Sequence, residues 1–346
     1  MHKIPVTVVT GFLGAGKTTL LRHLLKNNEG RRIAVIVNEF GEIGIDGELL
    51  RSCQVCDEPG AAAENENIIE LANGCLCCTV QEEFFPVMQS LLRRRQDLDC
   101  ILIETSGLAL PKPLVQAFQW PEIKNAATVS AVVTVADCAA IAAGTFASDL
   151  DAIAAQREAD EELDHETPLE ELFEDQLNCA DIVLLTKVDL CEQAVGERVQ
   201  SWLKSQLAPR VKILPIEQGV VSSDLLFGFN AAVEDNLADR HSHHDHEEEH
   251  DHDDEMNSVE FVAPETPEAE QLVAGLRSLM AQSEIYRVKG FVNVAHKPMR
   301  LVLQGVGDRF ELFYDRRWRE QETRETRLVL IGRDLEASGI AKQLKS

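Results

Sequence analysis

Positive charge is scarce in this 346-residue chain: 33 lysines and arginines stand against 59 aspartates and glutamates, a formal net charge of -26. So large an acidic excess repels phosphate backbones and anionic lipids, which argues against nucleic acid or a membrane as partner and suits cations. No apolar run approaches the roughly 18 residues of a membrane span. The apolar opening, Ile4 to Val9, runs straight into a Gly-rich loop, so it reads as a first strand and not as a signal sequence. A disulfide framework is missing too, because the nine cysteines are odd in number and several are adjacent or nearly so. A reducing, cytoplasmic setting is the expectation. The length suffices for one large domain and a smaller one.

What is present begins with apolar, β-branched runs separated by helical segments. They are Val6 to Val9, Ile33 to Val37, Ile101 to Ile103, Val129 to Val135, Ile182 to Leu185 and Val211 to Ile216. Near-continuous apolar strands alternating with helices predict an α/β fold, a mainly parallel sheet covered by helices on both faces. Ligands bind beyond the carboxyl ends of such strands. Three motifs each follow one of these runs, which places them on one rim.

The first motif, Gly11-Phe12-Leu13-Gly14-Ala15-Gly16-Lys17-Thr18, fits the phosphate-loop pattern G-x-x-x-x-G-K-[ST] throughout. Gly14 and Gly16 let backbone N–H groups close around phosphates, and the helix that starts with Lys17, Thr18 and Thr19 adds its positive end. Lys17 reaches the β- and γ-phosphates, and the Thr18 hydroxyl ligates Mg2+. In the second motif, Glu104-Thr105-Ser106-Gly107, a strand-end carboxylate can hold a Mg2+-bound water, while Gly107 can turn its amide to a γ-phosphate. Lys17 and Glu104 are the candidate catalytic residues. In the third, Thr186-Lys187-Val188-Asp189, one carboxylate can accept both N1–H and the 2-amino group of guanine. Adenine offers neither donor, so GTP is favoured over ATP. Leu214 to Glu217 sits where a second base-contacting loop is expected.

Between these motifs lies Gly74-Cys75-Leu76-Cys77-Cys78. Thiolates suit soft and borderline ions such as Zn2+, Cu+ and Co2+, and three of them leave the site open, as a carrier requires. Cys53 and Cys56 form a further C-x-x-C that could add ligands, whereas Cys100, Cys138, Cys179 and Cys191 look scattered and structural. His241, His243, His244, His246, His250 and His252 form a weak accessory metal tract among acids.

The expected organisation is a nucleotide-binding domain over residues 1–233, a disordered His- and acid-rich linker over 234–258, and an α+β domain with an antiparallel sheet over 259–346. Asp149 to Glu174 reads as an acidic helical insertion with a solvated face. In the last domain a helix is expected over Glu268 to Ala281, then short strands at Tyr286–Val288, Val292–Val294, Met299–Leu303, Arg309–Phe313 and Arg327–Ile331, and a closing helix over Leu335 to Leu344.

Taken together these residues resemble the CobW family of metal-handling GTPases, within the class that includes the nickel-inserting GTPases. The resemblance rests on Gly11 to Thr18, Asn38-Glu39-Phe40-Gly41, Gly74 to Cys78, Glu104 to Gly107 and Thr186 to Asp189, and reaches Arg287-Val288-Lys289-Gly290-Phe291. Ser106 to Pro111 and Leu163 to Glu166 are similar to the subgroup associated with cobalt supply for cobalamin synthesis. The resemblance implies a GTP-dependent metallochaperone in which Cys77 and Cys78 ligate Co2+ with Cys75 nearby, Zn2+ being the alternative cargo. It implies Thr18, Glu39 and Glu104 in the Mg2+ shell, and a metal-receiving client, the cobalt-inserting chelatase. A nucleotide- or metal-dependent dimer is left open. Thr186 departs from the frequent Asn at its position, but the Lys-x-Asp core is intact. Hydrolysis is expected to be slow without a partner, because no water-orienting residue and no arginine finger can be named.

Overall fold

A computed structural model of the protein describes residues 3–39, 68–72, 84–159, 168–209, 211–227, 256–266, 268–307, 309–319 and 322–345. The chain divides into two compact units, residues 4–228 and residues 229–346 together with 1–3.

The first unit is built on seven parallel strands in the order β3-β2-β4-β1-β5-β6-β7. These are β1 (Ile4–Thr10), β2 (Ile33–Glu39), β3 (Ile68–Ala72), β4 (Cys100–Glu104), β5 (Ala127–Asp137), β6 (Ile182–Thr186) and β7 (Lys212–Pro215). Every residue of β1, β4, β5 and β6 is buried, as continuous apolar runs in a sheet covered on both faces should be. Six strands coincide with the apolar runs. The seventh, β3, has a shorter run, Ile68-Ile69 followed by Glu70, and was not anticipated.

Helices α1 (Lys17–Lys26), α2 (Phe85–Arg93), α3 (Pro111–Ala117), α4 (Cys138–Ala142), α5 (Leu150–Ala159), α6 (Leu169–Cys179), α7 (Gln193–Gln206) and the short α8 (Ser223–Leu226) complete the unit. On α1 the buried Leu20, Leu21, Leu24 and Leu25 recur at helical spacing, so one stripe faces the sheet. One apolar cluster joins β1, β2 and β4 to α2 and α3 through Val8, Ile36, Ile103, Met88 and Leu114. Another joins Phe12, Ala136 and Leu185 to α4, α5, α6 and α7.

The acidic insertion is not only a solvated surface. Its second helix, α6, buries Leu172, Phe173, Gln176 and Leu177. Phe173 stacks on Phe146 with ring centroids 4.9 Å apart and meets Phe12 of the phosphate loop at 5.9 Å. Spacing explains this: 172, 173, 176 and 177 form an apolar stripe, and the acids occupy the opposite face.

The second unit is a five-stranded antiparallel sheet in the order β11-β10-β9-β12-β8. Its strands are β8 (Met256–Ala263), β9 (Ile285–Val292), β10 (Met299–Val306), β11 (Arg309–Arg317) and β12 (Thr326–Arg333). Helices α9 (Ala269–Gln282) and α10 (Ala337–Lys345) cover one face through Leu272, Leu276 and Ile340, packed with Val288, Leu303 and Leu330. Two short strands were expected at 286–288 and 292–294; one strand runs through both instead. Gly290 does not interrupt it: its φ is +154°, and a Cβ there would lie 2.1 Å from the Arg327 carbonyl oxygen of β12. The glycine marks a close approach of two backbones, and Val294 lies beyond the strand in an isolated bridge to Thr266.

Candidate functional site

The central strand β1 ends at Thr10, and the phosphate loop turns out of it. Gly11 has φ +136°, and a Cβ on it would sit 2.2 Å from the Val135 carbonyl oxygen of β5. Only glycine lets the chain leave the strand there. Gly14 and Gly16 also have positive φ, 71° and 104°, which turns successive amides inward. Gly16 is the N-cap of α1 and no side chain caps that end, so the first N–H groups are left for a ligand. Lys17 is buried, and its ammonium donates to the carbonyls of Gly11 at 2.8 Å and Phe12 at 3.2 Å. Ala15 is buried and Thr19 lies on the first turn of α1.

Strand β4 is the neighbour of β1, with Glu104 in register with Val9. The Thr18 hydroxyl donates to Glu104 Oε1 at 3.2 Å, which joins the helix start to the strand-end carboxylate. Two further bonds lock the strand ends: Thr105 N–H to the Val9 carbonyl at 3.0 Å, and Thr105 Oγ1 to Thr10 Oγ1 at 2.9 Å. The Ser106 hydroxyl is buried with no hydrogen-bond partner among the described residues. An orphaned hydroxyl beside an uncapped helix start fits a site that receives a polar, oxygen-rich group. Gly107 packs against the loop itself, since a Cβ would fall 2.7 Å from Leu13 N and 2.6 Å from Leu13 Cδ1. Its carbonyl, and that of Ala109, accept from Gln176 of α6 at 3.1 and 3.2 Å. Gly107 was expected to be free to turn its amide; here it is a contact point between two motifs.

The third motif lies at the end of β6. Thr186 Oγ1 donates to the Ala15 carbonyl at 2.7 Å and is 3.1 Å from that of Ala136, which ties this motif to the phosphate loop. Lys187 has a left-handed backbone, φ 56°, and its ammonium is 2.6 Å from Asp137 Oδ2 at the end of β5. Asp137 Oδ1 meanwhile accepts from Ala140 N–H and caps α4. Asp189 sits exposed on a 3-10 turn, Val188–Leu190, so its carboxylate is free to meet an incoming base and becomes buried only when one is bound. Beyond β7, Ile216 is buried, Glu217 is exposed, and Gly219 packs on Thr19 and Leu20 at the start of α1.

Sequence reasoning missed Asp137 and Gln176. A signal for Asp137 existed, since Val133 to Asp137 ends an apolar run in a carboxylate, as Ile101 to Glu104 does. Nothing local marks Gln176.

Several expected site residues lie outside the described residues: Cys53, Cys56, Cys75, Cys77, Cys78, Leu163 to Glu166 and the histidines from His241 to His252. Of Glu39 only the backbone is described. It ends β2, two positions past Val37, the register partner of Glu104, so it belongs to the same rim. No group of three or more metal-binding side chains, and no helix long and apolar enough to cross a membrane, occurs among the described residues.

Residues 5–215 match the family described as CobW/HypB/UreG, nucleotide-binding domain, and residues 256–346 match the cobalamin synthesis protein cobW C-terminal domain. A protein named zinc chaperone CobW from Pseudomonas aeruginosa is 56% identical, the match covering 100% of this chain and 92% of that protein. Another of that name from a Sinorhizobium species is 46% identical over 95% of this chain and 93% of its own length. Zinc chaperone YjiA of Escherichia coli is 30% identical, with 96% and 95% covered.

Proposed function

Because the chain belongs to the CobW/HypB/UreG family of nucleotide-binding proteins, we propose that it is a GTP-driven metallochaperone that takes up a transition-metal ion in one nucleotide state and releases it in the other. The contact that carries this reading is Thr18 Oγ1 to Glu104 Oε1 at 3.2 Å. It couples the phosphate loop to the strand end from which the 104–107 loop departs, so a change at the nucleotide reaches that loop directly.

The phosphate loop and the amino end of α1 bind the phosphates of GTP, with Lys17 moving from the Gly11 and Phe12 carbonyls to the more strongly charged phosphate oxygens. The donor set of Thr18 and Glu104, with Glu39 on the same rim, is all oxygen and fits Mg2+. When bound, that ion bridges the β- and γ-phosphates and offsets developing charge. Asp189 reads guanine, held in place by the Lys187–Asp137 pair. Exchange of GTP for GDP alters the contacts of the 104–107 loop and of Asn38 to Asp46, and with them the geometry offered by Cys75, Cys77 and Cys78.

The names of the relatives move the weight from cobalt to zinc as cargo: two similar proteins of this family are both named zinc chaperone CobW. Thiolate chemistry admits both ions, and Zn2+ stands above Co2+ in intrinsic affinity. The acceptor is a metal-requiring client protein, which for the cobalt cargo is a cobalt-inserting chelatase. A tenfold difference in metal affinity between states takes about 1.4 kcal/mol, within reach of a few γ-phosphate hydrogen bonds, and by linkage the metal tightens GTP binding by the same factor.

The test is a competition titration of Zn2+ and of Co2+ against a chromophoric chelator, with Mg2+ and either GTPγS or GDP. Binding about tenfold or more tighter with GTPγS, with a thiolate-to-Co2+ absorption band lost in Cys77→Ala, supports the carrier. Equal affinity in both nucleotide states sinks the gating. Loss of tight binding on deleting residues 241–252, with none in Cys77→Ala, would replace the carrier by a histidine-based metal buffer.

A further inference from the structure

Cys138 and Cys191 look unrelated in sequence, yet their thiols are hydrogen-bonded to one another in the folded protein. Both belong to the apolar cluster that surrounds α4 and the 3-10 turn. Their chain neighbours are the residues that set the third motif. Cys138 directly follows Asp137, and Cys191 lies two positions beyond Asp189. The two segments are already joined by Asp137 and Lys187 at 2.6 Å. Cys191 closes the 3-10 turn, its N–H donating to the Val188 carbonyl at 3.1 Å. The pair is therefore part of the frame that positions Asp189.

We propose that Cys138 and Cys191 form a reversible disulfide that lowers affinity for guanine nucleotides, a thiol switch placed behind the base-reading turn. The effect on nucleotide rests on the guanine-binding reading above. The reaction needs a peroxide as oxidant. Cys191 is partly exposed and is the entry point, whereas Cys138 is wholly buried. The Cys191 thiolate attacks hydrogen peroxide, the O–O bond breaks, and a sulfenic acid and one water result. The Cys138 sulfur then attacks that sulfenic sulfur. The S–S bond forms, the S–O bond breaks, and the hydroxyl leaves as a second water with the Cys138 proton. Two thiols are oxidised to a disulfide and one peroxide is reduced to two waters.

Burial pushes the Cys138 thiol up to about 12, helped by the hydrogen bond to Cys191 and by the charges of Cys191 and Asp137. Cys138 thus stays a thiol and is spared direct oxidation, so the order of events is fixed by exposure. A disulfide holds its sulfurs about 2.05 Å apart, much closer than a thiol–thiol hydrogen bond does. Closing that gap draws the end of the 3-10 turn toward α4. Asp189, two residues away, then loses the alignment that two parallel hydrogen bonds to guanine demand. A guanine base lying over the turn restricts access to Cys191, so nucleotide and oxidation oppose each other.

The full-length protein is treated with hydrogen peroxide in the presence and absence of GDP, alkylated, digested and mapped, and fluorescent GDP affinity is measured before and after. The expected result is a linked pair of peptides carrying Cys138 and Cys191, formed more slowly with GDP present. GDP binding should weaken about tenfold, recover with dithiothreitol, and resist peroxide in Cys191→Ser. Free, separately alkylated Cys138 and Cys191 after oxidation would overturn the proposal, as would a linked pair with unchanged affinity. A peroxide effect that persists in Cys191→Ser would assign it to other cysteines and overturn it equally. Failure of the guanine reading is separable: reduced protein would then bind ADP as tightly as GDP, whatever the peptide map shows.

Discussion

Asp137 holds the ammonium of Lys187 at 2.6 Å while Lys187 keeps a left-handed backbone at φ 56°. The carboxylate is 1% exposed and the lysine side chain 28%, so the pair is half-shielded and fixes the turn that follows. Two strand ends thereby set the position of Asp189, which neither touches.

Asp137→Asn keeps the side-chain oxygen that caps α4 and removes the charge that holds Lys187. GDP affinity should fall about tenfold, with a loss of about 1–2 kcal/mol in stability, less than a fully buried pair would lose because Lys187 is partly solvated. Isothermal titration with GDP and a urea melt measure both. An unchanged GDP affinity would show that the pair does not position the turn.

Thr18→Ala removes the hydroxyl that meets Glu104 at 3.2 Å. The Mg2+ concentration for half-maximal GTP hydrolysis should rise about tenfold and turnover should drop, while Thr18→Ser restores both. A magnesium titration of phosphate release reads this directly.

Gly107→Ala places a methyl group 2.7 Å from Leu13 N, backbone that cannot swing aside. Displacing the phosphate loop should cost about 1–3 kcal/mol of stability and weaken both GTP and GDP. Gly144→Ala, where a Cβ meets nothing within 4 Å but φ is +80°, serves as a control for backbone strain remote from the loop. It should lower stability without changing nucleotide affinity.

In the second unit, burial pushes the Glu322 carboxyl up, but hydrogen bonds from the Arg316 side chain and the Arg319 N–H, with the charges of Arg316 and Arg300, outweigh it and leave it at about 2. Arg316 approaches at 2.6 Å and Arg300 at 3.1 Å. A depressed folded value means that the stabilisation is fully present above the ordinary value of 4.5 and is lost as the pH falls toward about 2. Wild type should therefore lose more stability than Glu322→Gln between pH 4.5 and pH 2, by on the order of 1 kcal/mol after solvent screening. Thermal melts across that range compare the two.

The amino-acid sequence by itself determined the parallel sheet and the phosphate loop, because both are written in contiguous residues: apolar runs, and glycines whose φ values the loop requires. Two features were written less fully. Gly290 lies in a continuous strand because β12 presses on it, and α6 packs through a stripe that its acids disguise. The metal-binding thiols are legible only as a motif. What the tertiary structure alone decided is how the three nucleotide motifs become one site. Thr18 meets Glu104 across 86 positions, Thr186 meets Ala15 across 171, and Lys187 meets Asp137 across 50. Cys138 and Cys191, scattered by sequence, become hydrogen-bonded partners. Side-chain periodicity reports which face of an element is buried, but not which strand end lies beside it; that follows from the strand order, which places β4 and β5 on either side of β1 and β6 next to β5.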